Sequence, residues 1–339
     1  MHRPARGFVT PLTVITIGVL IMLALAGMQT SGSVFGQGIL SAFTPLVGIM
    51  ILAAAGQALV ISTGGIDLSV PSAITVVGVI MLKFPGGENS MLVQAIVVSL
   101  IAVILMGLAN GILVEVFGLN SLVVTLAVGM LAIGFARLYR GQILNVSSVP
   151  SFLVDFSGNN IAGISYILLA SIALAAVGTF IVWLTVPGRR LVASSASVAA
   201  GALVGLRART YRVLAYVVAA ILYGVGGVLL SGLLRTPDLT IGTPYLLAPI
   251  VAVVLGGAVL SGGRVSFVAT LLGAVFVSLL TLNLQVAGFT GGAPALVQGL
   301  VLALGLTMVF LLRDRKILRS VFGRRSAGGD EALLQGSVQ

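Results

Sequence analysis

The chain has 339 residues and a formal net charge of +10; 58% of its residues are hydrophobic and only 8% are charged. A chain this apolar is not soluble, and its long uninterrupted apolar runs predict membrane-spanning helices instead of a β-barrel. Its basic residues are spread over short loops without interleaved aromatic residues, which indicates the lipid bilayer and excludes nucleic acid as a partner.

The composition also excludes several kinds of chemistry. The sequence has no cysteine, and its single histidine is His2. Thiol catalysis and thiolate or zinc-type metal sites therefore lack their ligands, so we expect no catalytic residue, no metal and no cofactor. A phosphate-binding GxxxxGK[ST] loop needs a lysine after a glycine, and neither lysine follows one.

The apolar runs predict an all-α polytopic bundle of about ten transmembrane helices. In chain order they cover about residues 11–29, 39–61, 68–82, 91–117, 121–138, 161–186, 213–234, 245–260, 265–286 and 293–312. The basic start and apolar first run resemble a signal peptide, but the many later spans favour an uncleaved first helix. We expect a cytoplasmic N-terminus over residues 1–10, a transmembrane domain over 11–312 and a basic cytoplasmic tail over 313–339.

The run GQALVISTGGIDLSVPSA, residues 56–73, interrupts the apolar pattern after the second span. Gly64 and Gly65 are favourable places for a helix to end, because glycine adopts positive φ without a Cβ clash. Asp67 or Ser69 can then accept N–H groups of a new helix, with Pro71 in its first turn. The run thus predicts a helix stop followed at once by a helix start, which we call the break.

Asp67 has two interpretations at this point. In the first, it caps the next helix near the membrane surface. In the second, it belongs to a polar path for a hydroxylated solute. The second interpretation is considered because a carboxylate at membrane depth is costly unless it is hydrogen-bonded or hydrated, so that such a group often marks a functional site. In the second interpretation the path is lined by Ser62, Thr63, Asp67, Ser69 and Ser72.

The fourth and fifth spans carry three local signals. Gly107 and Gly111 form a GxxxG pair that permits close helix approach. Glu115, at the end of the fourth span, is expected to be a surface charge, and Asn120 or Ser121 is expected to cap the fifth span.

Two longer loops follow. Residues 141–160 form a polar loop, which is either a plain connector or a docking surface for a soluble partner. Residues 187–212 hold five arginines around an alanine-rich run, 193–206, that predicts a short helix outside the bilayer. With ten spans and a cytoplasmic N-terminus, fourteen of the 18 basic residues fall on the cytoplasmic side, as the positive-inside rule requires.

Four ordered motifs resemble the sugar-type, ribose-permease-like permeases of ATP-binding-cassette (ABC) importers. They are TGGIDLSV from Thr63, NSLVVTL from Asn120, GRRLVASSASVAAGALVGL from Gly188 and VVLGGAVLSGG from Val253. Together they lie within a region of similarity that covers most of residues 57–312. The chain departs from the family at residues 197–202, where SVAAGA replaces the usual Asn-Pro-Glu-Ala-Ala-Arg.

The resemblance implies a permease subunit in the bacterial inner membrane with both termini cytoplasmic. Its implied partners are an ABC ATPase subunit, a second permease subunit and an extracytoplasmic solute-binding protein. It places an ATPase-coupling loop at Ser197, Ala199, Ala200, Gly201, Gly205, Leu206 and Arg207. It places the translocation path and signature at Thr63, Gly64, Gly65, Asp67, Ser69, Asn120, Thr125, Gly256 and Gly257.

The function expected from this resemblance is import of a ribose-like monosaccharide, driven by a separate ATPase. Other cargoes of the same fold stay open: a nucleoside, a furanosyl signalling molecule or a branched-chain amino acid. A self-powered secondary transporter is the rival from another class, although it would need more buried charges than Asp67 alone.

Overall fold

The computed structural model describes residues 11–141, 148–196, 206–263 and 265–313. In these ranges the α-helices are α1 (Pro11–Gln29), α2 (Gln37–Ser62), α3 (Val70–Lys83), α4 (Leu92–Glu115), α5 (Ser121–Arg140), α6 (Ser151–Gly158), α7 (Tyr166–Leu184), α8 (Val186–Ala196), α9 (Ala208–Leu234), α10 (Ala248–Leu255), α11 (Phe267–Val286) and α12 (Ala293–Arg313). Short 3₁₀ turns lie at Ser33–Phe35, Asn89–Met91 and Thr243–Tyr245.

The prediction of a helical membrane protein is confirmed. Within the described ranges, α1, α2, α4, α5, α9 and α11 are long and apolar enough to cross a membrane. Helices α7 and α8 together meet the same test but are bent by 78°, and α3, α10 with its 3₁₀ turn, and α12 are shorter apolar helices. The count of ten spans stays a prediction.

Two predicted boundaries are wrong. The span expected over residues 245–260 is the eight-residue helix α10 behind a 3₁₀ turn, because Gly257 takes φ 85° and ends the helix. The polar loop after α5 contains α6, followed by a two-stranded antiparallel hairpin, β1 (Asn160–Ile161) and β2 (Ile164–Ser165), in which Asn160 pairs with Ser165.

Helices α2 and α9 form the centre of the bundle. Helix α9 packs against α2, α3 and α4, and α11 packs against α1 and α2. The GxxxG prediction is confirmed: a Cβ at Gly107 would lie 2.8 Å from the carbonyl oxygen of Tyr216, and one at Gly111 would lie 3.0 Å from Val213. Only glycine lets the α4 backbone come this close to α9.

The helix termini gather at two ends of the bundle. At one, which we call the Lys83 end, Lys83 donates to the carbonyl of Tyr139, and the Asn89 amide donates to Ser151 Oγ at 3.0 Å. At the other, the Arg212 end, Arg212 pairs with Glu115, and the N–H of Gly263 donates to the carbonyl of Ser62 at 2.9 Å. The break lies towards the Arg212 end.

Candidate functional site

The break between α2 and α3 is an irregular segment enclosed by helices. The N–H of Gly64 donates to the carbonyl of Ile61 at 2.9 Å, and that of Gly65 to Val60 at 3.3 Å. Gly64 has φ 86°, so it ends α2 as predicted. Gly65 is required for another reason: a Cβ there would lie 2.1 Å from the hydroxyl oxygen of Tyr216 on α9.

Asp67 is buried, with 1% of its surface exposed. Its Oδ1 accepts hydrogen bonds from the N–H of Ser69 at 2.8 Å and from Ser69 Oγ at 2.6 Å. Helix α3 begins at Val70 with Pro71 in its first turn, as predicted, but Ser69 at the N-cap makes no capping side-chain bond. The predicted cap, in which Asp67 or Ser69 accepts an N–H of the new helix, is therefore wrong; Asp67 instead closes the turn that precedes α3.

Gln57 of α2 holds the backbone of Asp67 from the other side. With its amide oriented by its partners, the side chain donates to the carbonyl of Asp67 at 3.1 Å and accepts from its N–H at 3.2 Å. The same amide nitrogen donates to the Tyr223 hydroxyl at 3.2 Å. This pairing replaces the hydrogen bonds that a regular helix would supply in the membrane interior.

Helix α5 supplies two more acceptors. Ser121 Oγ accepts from the N–H of Ile66 at 3.1 Å, and Thr125 Oγ1 accepts from the N–H of Leu68 at 2.9 Å. Side chains therefore satisfy four consecutive backbone N–H groups, those of residues 66–69. The break is a fixed structure held by α2, α5 and its own Asp67.

Two neighbouring contacts complete the surroundings of the break. Asn110 of α4 donates to Ser69 Oγ at 2.9 Å. Asn120 caps α5 as predicted, with Oδ1 accepting from the N–H of Leu122 at 2.9 Å.

An ion pair that the sequence analysis missed closes the Arg212 end. The guanidinium Nε of Arg212 lies 3.1 Å from Glu115 Oε2, and these side chains are 19% and 7% exposed. Arg212 also donates to the carbonyl of Thr63, so α4, α9 and the start of the break meet at one guanidinium. The expectation that Glu115 is a surface charge is wrong. Only the helix crossing brings these distant residues together, so the sequence carried no signal for the pair.

Gly256 and Gly257 do not join this group. A Cβ at Gly256 would lie 2.9 Å from the backbone nitrogen of Thr270, and one at Gly257 would lie 2.6 Å from the side chain of Pro11. These glycines allow close packing of α10 against α11 and α1. The chain that follows them contacts the last residue of α2 beside the break, where the N–H of Gly263 donates to the carbonyl of Ser62.

Two cavities adjoin the break. The Ser72 cavity, of about 440 Å³, is lined by Leu68, Pro71, Ser72, Met130, Arg137 and Thr243. The Arg212 cavity, of about 430 Å³, is lined by Gly64, Gly65, Glu115, Ser121, Arg209 and Arg212. Leu68 of the break thus lines the first cavity, and Gly64 and Gly65 line the second, which also contains the ion pair.

Most of the predicted coupling loop cannot be placed. Arg207 is the N-cap residue of α9 and follows Leu206, and both lie five to six residues before Arg212 in the chain. Ser197, Ala199, Ala200, Gly201 and Gly205 lie outside the described residues. Helix α8 covers Val186–Ala196 and so includes the first four residues of the alanine-rich run 193–206, for which a helix was predicted; residues 197–205 of that run lie outside the described residues.

The chain is similar in sequence to known permeases. A family model described as branched-chain amino acid transport system / permease component matches residues 39–312. A probable ABC transporter permease protein, y4mJ, of Sinorhizobium fredii is 29% identical, covering 88% of this chain and 89% of that protein. The galactofuranose transporter permease protein YtfT of Escherichia coli is 29% identical, covering 81% and 79%. The ribose import permease protein RbsC of E. coli is 28% identical, covering 74% and 79%. No solved structure matches the chain significantly.

Proposed function

Since the chain belongs to the branched-chain amino acid transport system / permease component family, we propose that it is the membrane permease subunit of an ABC importer for a sugar. Its cargo is a ribose-like or furanose-type monosaccharide, in keeping with the ribose and galactofuranose named for two relatives. The proposal includes about ten spans, of which the shorter helices α3, α10 and α12 and the bent pair α7–α8 supply four.

The observation that carries the proposal is the break between its two cavities. A solute that enters the Ser72 cavity meets residues 63–69 before the Arg212 cavity. Opening towards the Arg212 end requires these residues to move, or the helices around them to separate. Because the break is held by side chains of α2 and α5, and by Arg212 of α9, a shift of one helix is transmitted to it directly.

The driving force in this proposal comes from a partner ATPase that docks on residues 187–212. Helix α9 starts at the end of that segment and carries Arg212, which holds the carbonyl of Thr63. Movement of the loop would therefore reach the break through the first turn of α9. A second permease subunit completes the path, and a solute-binding protein delivers the sugar at the Lys83 end.

The proposed orientation follows the charge distribution. The Arg212 end faces the cytoplasm of a bacterium, together with residues 1–10, the coupling loop and the basic tail, residues 313–339. The transmembrane domain covers residues 11–312.

The test is uptake by the reconstituted system. The chain is placed in proteoliposomes with its partner ATPase and solute-binding protein, and uptake of labelled ribose, arabinose and galactofuranose is measured. We expect uptake of one of these sugars that needs both ATP and the binding protein. Uptake that proceeds without the ATPase would instead support a secondary transporter.

A second cargo class has one specific observation in its favour. The family to which the chain belongs is named for branched-chain amino acid transport. Labelled leucine and a labelled nucleoside therefore belong in the same assay, and their ATP-dependent uptake, without uptake of any sugar, would replace the proposed cargo while leaving the permease assignment in place.

A further inference from the structure

An apolar groove near the Arg212 end is separate from both cavities beside the break. It has a volume of about 250 Å³ and lies between α2, α7, α8, α9 and the start of α11. Its walls include Leu59, Gly178, Val182, Leu191, Leu214 and Phe267. Leu214 and Val218 on one wall are 47% and 44% exposed, so the groove opens to the lipid-facing surface.

The groove exists because small residues leave space between these helices. Ala55, Ala175 and Gly178 line it, and a Cβ at Gly178 would meet no atom within 4 Å. Gly188 allows α8 to fold back at 78° over the end of α7, since a Cβ there would lie 2.3 Å from the carbonyl oxygen of Ile181. Helix α8 therefore covers one end of the groove.

The lining does not suit a sugar. Among the described residues that line it, Thr179 and Tyr211 alone carry a hydroxyl, and the Thr179 hydroxyl already donates to the carbonyl of Ala175 at 2.7 Å. A sugar needs several convergent polar partners, whereas a hydrocarbon chain needs none. The groove is matched to an acyl chain.

The mouth of the groove is basic. Arg190 donates to the hydroxyl of Tyr211 at 3.1 Å, which places its guanidinium beside a lining residue. Arg189 is its neighbour on α8, and both arginines are exposed. In the part of the chain that the structure describes, the one ion pair joins Arg212 to Glu115, so no carboxylate there neutralises Arg189 or Arg190. Each guanidinium has donors left for a phosphate.

We propose that this groove binds an anionic phospholipid, with one acyl chain between α2, α7 and α9 and its phosphate at Arg189 and Arg190. Basic residues at the membrane surface beside an apolar groove attract acidic headgroups. The bound lipid would fill the space beneath α8 and fix the angle between α7 and α8. Because α8 (Val186–Ala196) forms the first part of the proposed coupling segment, residues 187–212, the lipid would set the position of the start of that segment.

The experiment is native mass spectrometry of the purified chain after equilibration in mixed micelles holding equal amounts of phosphatidylglycerol and phosphatidylcholine. We expect one retained phosphatidylglycerol and little phosphatidylcholine. The double variant R189Q/R190Q should lower the preference for phosphatidylglycerol by about thirty-fold, from the contribution of two arginines near an anionic headgroup. Gly178→Leu should remove the retained lipid, because Gly178 lines the groove and a Cβ there meets no atom within 4 Å, so the new side chain can extend into the groove.

Two controls separate the site from general lipid affinity. Gly299→Leu adds the same side chain on α12, where a Cβ also meets no atom within 4 Å, and Arg140→Gln removes a charge at the Lys83 end. Both should retain phosphatidylglycerol as the wild type does. Equal retention of the two lipids by the wild type, or retained lipid in Gly178→Leu, would overturn the proposal. The proposal would also be overturned if the wild-type chain formed a dimer without bound lipid and Gly178→Leu dissociated that dimer. In that case a second copy of the chain would cover the groove.

Discussion

Gly65→Ala tests how closely the break is fitted to α9. The new Cβ would lie 2.1 Å from the Tyr216 hydroxyl oxygen and 3.3 Å from Val60 Cγ1. Real Cβ atoms essentially never approach a heavy atom within 3.0 Å. The backbone of the break and the side chain of Tyr216 must therefore move apart by about 1 Å. Tyr216 is 0% exposed and has no open space to turn into.

The expected loss of folding stability follows from the crowding of the new methyl group against Tyr216. Inserting a methyl group into a filled interior destabilises by about 1–3 kcal/mol, and the rigid ring places this substitution in the upper half of that range. The Tyr216 hydroxyl is buried and forms no hydrogen bond with the described residues, so Tyr216→Phe by itself should change stability by less than about 1 kcal/mol. In the double variant the Cβ would face the ring carbon at 3.2 Å and Val60 Cγ1 at 3.3 Å, and most of the loss should be recovered.

The assay is the free energy of unfolding in mixed detergent micelles, titrated with sodium dodecyl sulfate and followed by circular dichroism. The four proteins form a double-mutant cycle, with an expected coupling energy of about 1–2 kcal/mol. Gly299→Ala is the matched control, and it should be neutral or slightly stabilising, since its Cβ meets open space in a helix. A coupling energy below about 0.5 kcal/mol would mean that the two substitutions change the free energy of unfolding independently. The contact between residue 65 and the Tyr216 hydroxyl would then be refuted.

Substitutions at four further positions test the surroundings of the break. Asp67→Asn should keep both folding and uptake, because the amide oxygen can still accept from Ser69, whereas Asp67→Ala should cost about 1–3 kcal/mol by leaving a buried N–H unpaired. Glu115→Gln should destabilise by about 1–3 kcal/mol by leaving Arg212 without its counter-charge, and the double variant E115Q/R212Q should be less harmful than either single change. Gly107→Val should destabilise by about 3 kcal/mol or more, since its Cβ would meet the α9 backbone, which cannot rotate away.

The same unfolding assay, combined with ATP-driven uptake, decides each of these cases. Loss of uptake in Asp67→Asn with unchanged stability would assign the carboxylate to the solute path and not to the turn. A double variant E115Q/R212Q that is as unstable as the sum of its parts would exclude the ion pair as a coupled unit. Unchanged stability in Gly107→Val would show that α4 and α9 do not pack as closely as described.

Local signals in the sequence determined the class of protein and the position of the break. Apolar runs predicted the helices because lipid requires an apolar helix surface about twenty residues long, and α1 has the predicted bounds. Gly64, Pro71 and Asn120 were identified because helix ends depend on a few neighbouring residues. The GxxxG pair was also predicted from its spacing alone.

Only the tertiary structure decided what holds the break. The partners of residues 66–69 come from α2 and α5, and the ion pair joins α4 to α9. Their spacing in the chain has no period, so the sequence could not predict them. It assigned Glu115 to the surface and left Asp67 open between a helix cap and a solute path. The physical reason is that apolar pattern and capping chemistry act over a few residues, whereas an irregular segment in a membrane is satisfied by whichever helices pack beside it.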